Sequence, residues 1–387
     1  RRKMEQIYRY DCTGCGACQN VCPVHCISMC QDQEGFPYPK IDAERCTGCG
    51  LCRRTCPETN RSEESFCKPY AMYAKDEDVR RRSSSGGFFF LLAAYVLESG
   101  GIVFGVRMER ETARFCWTDQ IDGLRDIQGS KYLQADTGHC YSSVKSFLEA
   151  GRPVLFSGTP CQVAALYRFL GREYDGLITF DFICHGVSSP EIFKKYLRKT
   201  AGTQEVERVE FRNKALGWRE FSMRISFQSG EVYARSMKKD VYLQSFLRNL
   251  NLRPSCFFCR FREKNRISDF TGGDFWGCEY LAEKWRDDRG YSVVIVHSKK
   301  GEKLLEKIWP LGCWDEIRID DVTTYNSSYT VSPWELYSRN LFFKYTGRYS
   351  LEKSIEMASK NGIRKKAGRK WLKWKMMNRK KSKETIL

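Results

Sequence analysis

Past residue 100 the chain settles into a recurring pattern, in which short apolar runs lead into amphipathic stretches of helical length. Ile102 to Val106, Pro153 to Ser157, Leu177 to Asp181 and Tyr291 to His297 are four such runs. Runs this short, rich in β-branched and aromatic residues and bounded by turn residues, predict buried strands. The second enters Gly158, Thr159 and Pro160 and then a predicted helix to about Leu170; the third ends at Cys184, His185 and Gly186. Ahead of them, Ser83 to Gly87 reads as a turn before a helix-length apolar segment that runs to Glu98. Val209 to Phe227 reads as a β-hairpin region. Strands alternating with helices predict an α/β domain with a mixed sheet. Such sheets place their chemistry in loops after strand C-termini, where Cys161 and Cys184 both fall.

The first sixty residues follow a different rule. Cys12, Cys15, Cys18 and Cys22-Pro23 return as Cys46, Cys49, Cys52 and Cys56-Pro57, 34 residues later. A cubane iron–sulfur cluster needs four thiolates, and C-x2-C-x2-C supplies three from one tight loop while the Cys-Pro of the other half supplies the fourth. The expected sets are therefore Cys12, Cys15, Cys18 with Cys56, and Cys46, Cys49, Cys52 with Cys22. A zinc site would use two pairs and strand four of the eight thiols. The spacing thus predicts an α+β ferredoxin-like bicluster module with two [4Fe–4S] clusters. Cys26, Cys30 and Cys67 lie outside the pattern as free thiols, and His25 is a packing or surface residue.

Composition bears mainly on compartment and partners. The 387 residues include 19 cysteines in CxxC-type groups, which in a chain of this size point to metal ligation in a reducing cytoplasm rather than to a disulfide scaffold. No leader pattern opens the chain, so a cytoplasmic protein is expected. The longest apolar run, Phe88 to Leu97, is about half the ~20 residues a spanning helix requires. The net charge is +18. Between Lys360 and Leu387, however, there are twelve Lys and Arg against the single acid Glu384, so most of the excess sits in the tail and nucleic-acid binding is not expected.

Seven motifs in a fixed order follow the module: Ser83 to Gly87 (SSSGG), Gly129 to Tyr132 (GSKY), Ser157 to Gln162 (SGTPCQ), Ile183 to Gly186 (ICHG), Phe211 to Lys214 (FRNK) with Gly217-Trp218, Leu252 to Phe261 (LRPSCFFCRF) and Gly272 to Gly277 (GGDFWG). Through them, residues 4 to 340 resemble the coenzyme F420 hydrogenase/dehydrogenase beta-subunit family, in particular its bacterial members with a fused ferredoxin module. The resemblance implies an FAD-binding domain with a further [4Fe–4S] cluster. It also implies a flavin that converts single electrons into two-electron chemistry on an organic substrate. A reduced ferredoxin or similar donor is the implied partner.

Four thiols inside these motifs, Cys161, Cys184, Cys256 and Cys259, are the ligands the resemblance implies for the third cluster. Cys278 is a rival, at a position the family usually fills with an apolar residue. Ser84, Ser85, Gly86 and Gly87 precede a helix and suit a pyrophosphate; an ordinary N-cap is the other reading. Lys131 is placed beside the flavin ring or, alternatively, in solvent. His185 is a proton or hydrogen-bond donor or else structural, and Asp274 and Trp276 are expected to be structural. Cys140 departs from the family pattern. No residue set is assignable to F420 itself, so a different organic substrate is expected. The alternative function is a non-enzymatic electron-transfer adaptor feeding a partner enzyme.

The expected organisation is a ferredoxin module at 1–60, a linker at 61–85, the flavin and iron–sulfur domain at 86–345 and a basic tail at 346–387. In that tail Ile363, Ala367, Trp371, Trp374 and Met377 share one helical face among Lys and Arg. Docking to a membrane surface or a protein partner is one reading of this segment; a helix packed on its own domain is the other.

Overall fold

The computed structural model describes residues 9–57, 67–262, 266–280, 282–334 and 336–364, with 361–364 in backbone only. In the N-terminal region each cysteine loop turns into a one-turn helix, Ala17–Asn20 and Leu51–Thr55. The residues before these helices, Gly16 and Gly50, have left-handed φ of 75° and 74°, which glycine adopts without strain. Between the loops, strands β1 (Ile27–Gln31) and β2 (Pro37–Ile41) pair antiparallel. This is the α+β bicluster module expected.

The rest of the chain supplies β3 (Lys68–Ala74), β4 (Ile102–Glu109), β5 (Thr112–Thr118), β6 (Val154–Ser157), β7 (Leu177–Phe182), β8 (Val206–Asn213), β9 (Ser222–Phe227), β10 (Val232–Ser236), β11 (Phe270–Asp274), β12 (Ser292–Val296) and β13 (Gly312–Glu316). Strands β8 to β10 form a separate antiparallel sheet of three. The others form one eight-stranded sheet in the order β13-β3-β12-β11-β7-β6-β4-β5. Its centre, β4-β6-β7-β11, is parallel, and antiparallel strands complete both sides. Every residue of β12 is buried, as a strand covered on both faces requires. One face packs on helices Cys140–Glu149, Pro160–Leu170 and Pro190–Ala201 around Phe104, Phe156 and Phe193; the other packs on Phe88–Glu98 and Lys299–Ile308 around Leu92, Val294 and Ile308. The mixed α/β sheet is as expected.

Two boundaries differ from expectation. The stretch read as a linker, 61–85, contributes β3, which lies inside the sheet and pairs with both β12 and β13, so the second region starts by residue 67. Tyr70, Ala71, Met72 and Ala74 are buried there, although the polar surroundings of this run mask it in the sequence. At the other end, helix Leu351–Arg364 buries Leu351, Ile355 and Ala358 in the first core, so part of the supposed tail belongs to the fold. The face formed by Ala367, Trp371, Trp374 and Met377 lies outside the described residues, and Ile363 is described in backbone only.

The module is built into the second region rather than strung beside it. Ala17 sits in the first core, Tyr141 Oη donates to the carbonyl of Cys15 at 2.9 Å, and Asn20 Nδ2 donates to the carbonyl of Gly138 at 2.7 Å. At the β1–β2 turn, Ser189 Oγ donates to the carbonyl of Glu34 at 2.5 Å, and the Glu34 carboxylate pairs with Arg339. No helix among the described residues is long and apolar enough to cross a membrane.

Candidate redox site

The two cysteine loops have nearly the same sequence and opposite surroundings. Along the first loop Cys12, Gly14, Gly16 and Ala17 are buried; along the second, Cys46 to Gly50 are all exposed. A Cβ on Gly14 would lie 2.7 Å from Arg253 Nη1, whereas neither Gly48 nor Gly50 has a neighbour within 4 Å. One loop therefore faces the interior and the other faces solvent.

The expected ligand sets are each brought together. Burial pushes the Cys15 thiol up to about 12, and Cys56 and Cys12 lie close enough for their charges to add to this. Cys18 likewise responds first to burial and then to Cys15, Cys12 and Cys56. Cys22, Cys46, Cys49 and Cys52 line one small cavity. Cys26 lines it too, its Sγ 3.4 Å from that of Cys22, so this free thiol is an immediate neighbour of the second set.

The third set also assembles from distant segments. Cys161 begins the helix after β6, Cys184 follows β7, and Cys256 and Cys259 bracket the end of a 3-10 turn, Pro254–Phe258. Burial raises the Cys161 thiol well above its usual value, and the charges of Cys259, Cys184 and Cys15 act on it in addition. Cys184 is pushed up to about 11 by burial, opposed by Arg262 and reinforced by Cys256. Cys278 is elsewhere: its thiol donates to the carbonyl of Trp285 at 3.3 Å inside a separate aromatic cluster, so it is not among the neighbours of this set. Among the described residues no three Cys, His, Asp or Glu side chains are close enough to hold a single metal ion. A four-iron cubane is larger than a single ion and takes its four thiolates around a wider core.

Beside the third set opens a cavity of about 450 Å³, within the range of small-molecule sites. It lies at the C-terminal ends of parallel strands. Ser157 to Thr159 come from the end of β6, Cys184 and His185 from beyond β7, Asp274 and Trp276 from the end of β11. Ser83 to Ser85 and the start of helix Phe88–Glu98 close another side. Cys184 thus belongs both to the thiol set and to the cavity wall.

Residues 151–322 match the family model that describes the C terminus of the beta subunit of coenzyme F420 hydrogenase/dehydrogenase. Residues 11–60 match the 4Fe–4S dicluster domain. The segment 151–322 is thus similar to the C-terminal part of the F420 hydrogenase/dehydrogenase beta subunit. A segment of the F420 type and a dicluster iron–sulfur module share one chain, as in an iron–sulfur electron-transfer protein. Among solved structures, one from the F420-reducing [NiFe] hydrogenase complex of Methanosarcina barkeri is similar to it, with 16% identity, 78% of this chain and 92% of that chain covered, and a TM-score of 0.45. No curated protein matches.

Within the F420-type domain the residues expected to hold a flavin divide. Ser84, Ser85 and Gly87 line the cavity; Gly86 does not. Gly86 is pressed between β3 and β12, where a Cβ would lie 2.7 Å from the amide nitrogen of Ser292, so its role is packing. Ser84 Oγ is 2.8 Å from Ser130 Oγ, and Ser85 Oγ donates to the carbonyl of Tyr291, so both hydroxyls brace the turn. The helix that follows makes its first internal bonds from Phe90 and Leu91, leaving earlier N–H groups unused by the helix and pointing off its start. Lys131 lines the cavity, but Nζ donates to the carbonyls of Asp126, Ile127 and Gln128 at 2.9, 2.7 and 3.0 Å. All three ammonium hydrogens are used in capping a helix end, so the free cation expected beside a flavin ring is not what this geometry provides. Burial pulls Lys131 down to about 7.

His185 packs on Phe246, ring centroids 4.9 Å apart, and its Nε2 is buried without a partner among the described residues. Burial, and then Arg262, pull it down to about 4. The unpartnered Nε2 leaves this ring nitrogen available for a hydrogen bond. Sequence reasoning assigned no role to Arg212 and Tyr132, which also line the cavity. Tyr132 stacks on Phe246 at 4.5 Å, and Arg212 pairs with Asp274, which accepts from Trp218 Nε1 at 3.2 Å. Asp274 and Trp276 both line the cavity as well, Asp274 tied to Arg212 and Trp218, and Trp276 stacked on Trp218 at 4.5 Å. The FRNK and GSKY motifs held the signal for Arg212 and Tyr132, but only the fold shows that these residues meet at one cavity.

Proposed function

We propose that this protein is a flavin-dependent iron–sulfur oxidoreductase. In this reading electrons enter at the exposed second cluster from reduced ferredoxin or a similar donor. They continue through the first and third clusters to FAD in the cavity, and on to an organic substrate, or run in reverse. The observation that carries it is the continuity of thiols from surface to cavity. The helices that follow the two loops, Ala17–Asn20 and Leu51–Thr55, pack on each other and on helix Pro160–Leu170, which carries Cys161, and Cys184 forms part of the cavity wall.

The residues present suit a flavin dinucleotide. Unused N–H groups at the start of helix Phe88–Glu98 favour a pyrophosphate, and Tyr132, Phe246, Phe221 and Trp276 give the apolar, planar walls a ring system needs. When bound, FAD supplies the conversion between one- and two-electron steps. The chain itself positions: Ser84 and Ser85 hold the turn, Lys131 fixes the adjoining helix end, His185 offers a buried, unpartnered ring nitrogen for a hydrogen bond, and the aromatic walls keep water out. The outward face of the second loop carries Arg53 and Arg54, both exposed, which suits an acidic carrier protein.

The test is cofactor content of anaerobically purified protein. About twelve irons, meaning three four-iron clusters, with one FAD per chain is the expected result. About eight irons with no flavin, bound or bindable, would overturn the reading in favour of an adaptor that passes electrons to a partner enzyme.

A further inference from the structure

Buried arginines in this fold generally come with carboxylates. Arg80 pairs with Asp287 and Arg266 with Asp181, each at 2.8 Å, while Arg212 and Arg339 pair with Asp274 and Glu34. Two depart from the rule. Arg253, with no exposed surface, donates Nε to the carbonyl of Cys12 at 2.8 Å, Nη1 to Gln134 Oε1 at 3.1 Å and Nη2 to the carbonyl of Pro37 at 2.9 Å. Its guanidinium lies 4.2 Å over the Tyr38 ring. Arg262, also buried, donates to the carbonyls of Ser328 at 2.8 Å, Val331 at 3.4 Å and His185. Among the described residues neither has a carboxylate partner.

A guanidinium cannot shed its proton to escape this environment, and an ion removed from water needs a counter-charge as well as hydrogen-bond acceptors. Neutral carbonyls supply only the acceptors. The missing negative charge has an evident source. Arg253 stands three residues before Cys256 and holds the backbone of Cys12, while Arg262 stands three residues after Cys259 and holds the carbonyl next to Cys184. Four thiolates around a four-iron core carry net negative charge, which grows by one with each electron accepted.

We propose that Arg253 and Arg262 are the buried counter-cations of the first and third clusters, raising their potentials relative to the solvent-facing second cluster. A cation at fixed distance stabilises the reduced, more negative state over the oxidised one, and burial keeps that attraction from being screened. Both residues act through the clusters and are positioning residues, not catalytic ones. The Arg262 half rests on the third cluster proposed above; the Arg253 half needs only the dicluster module.

The experiment is a potentiometric titration of the anaerobic full-length holoprotein, followed by electron paramagnetic resonance, for wild type, R253M, R253K and R262M. In R253M the first cluster becomes harder to reduce, by about tenfold or more in its reduced-to-oxidised ratio at fixed potential (about 59 mV for one electron). The second cluster does not move. R253K stays near wild type because it keeps the charge, and R262M lowers the third cluster alone. Unshifted midpoints in a fully iron-loaded R253M overturn the proposal. So does an R253K shift as large as that of R253M, since hydrogen-bond geometry rather than charge would then be responsible. Should R253M not retain its first cluster, R253K decides: retention near the wild-type midpoint supports the counter-charge, and loss overturns it. Shifted midpoints in a protein without flavin leave this inference standing and remove the flavin.

Discussion

Replacing Glu34 with alanine tests whether the dicluster module is held by the second region. Glu34 sits in the β1–β2 turn and forms a two-point pair with Arg339, whose Nη1 lies 2.8 Å from its Oε1. Arg339 is 1% exposed and Glu34 15%, and Arg339 Nε also holds the carbonyl of Leu252 at 2.8 Å. Burial acts against the Glu34 carboxylate, but bonding to Arg339 and then Arg9 outweighs it and leaves the group below its usual range. Removing one partner of a buried pair costs about 3–5 kcal/mol because the other charge is stranded. Partial exposure of Glu34 and its second, half-exposed partner Arg9 argue for the lower end, about 3 kcal/mol. Local opening of the hairpin Ile27–Ile41 then becomes roughly a hundredfold more frequent, since each 1.4 kcal/mol is about a factor of ten. Hydrogen exchange of the anaerobic holoprotein, read on peptides covering the hairpin, measures this directly, with peptides from β12 as the control. Glu34 is depressed when folded, so its contribution is complete above the unfolded carboxylate's pKa of about 4.3 and is lost as pH falls below it. Hairpin exchange in Glu34→Ala within about threefold of wild type at pH 7 would refute the reasoning.

Three further outcomes follow from the same geometry. Cys184→Ser is expected to remove about four irons per chain and leave the dicluster module intact, whereas Cys278→Ser removes none; equal iron in the two variants would dismiss the third ligand set. Gly14→Ala and Gly48→Ala share the strain of a left-handed residue, about 1–2 kcal/mol, but only Gly14→Ala also meets Arg253. Selective loss of the first cluster's signal in Gly14→Ala, with the second retained in Gly48→Ala, is expected, and the reverse order would contradict the docking described. At Asp287 burial pushes the carboxyl up, but the Tyr291 hydroxyl and Arg80 bring it down to about 2. The Arg80 pair therefore stabilises fully above about pH 4 and is lost as pH falls towards 2. Urea midpoints of Asp287→Asn should be lower than wild type at pH 7 and flatter between pH 4 and 2; identical slopes would refute this.

What the chain announces by itself is whatever depends on neighbours in sequence. The two cysteine sets were legible because three of the four thiols in each come from one short loop, and the crossed fourth thiol follows from the repeat. β4, β6, β7 and β12 were legible because strands covered on both faces need unbroken apolar runs. β3 and β11 were not, since Lys68 to Ala74 sits in a polar stretch and Phe270 to Asp274 carries two glycines; both are strands because their partners make them so. The cavity was legible only as separate motifs, for Ser84, Lys131, His185, Arg212 and Asp274 meet through the sheet and not along the chain. Lys131 shows the limit most plainly, because a lysine beside a turn and a lysine capping a helix end look alike until the carbonyls around it are in place. The two CTGCG loops are the sharper case. Their local sequence and backbone are the same, yet one is buried against Arg253, Gln134 and Thr137 and the other has open space around it. The grouping of the thiols is a matter of covalent spacing, which the sequence alone sets. Environment comes from residues more than a hundred positions away, and only tertiary packing decides which loop receives it.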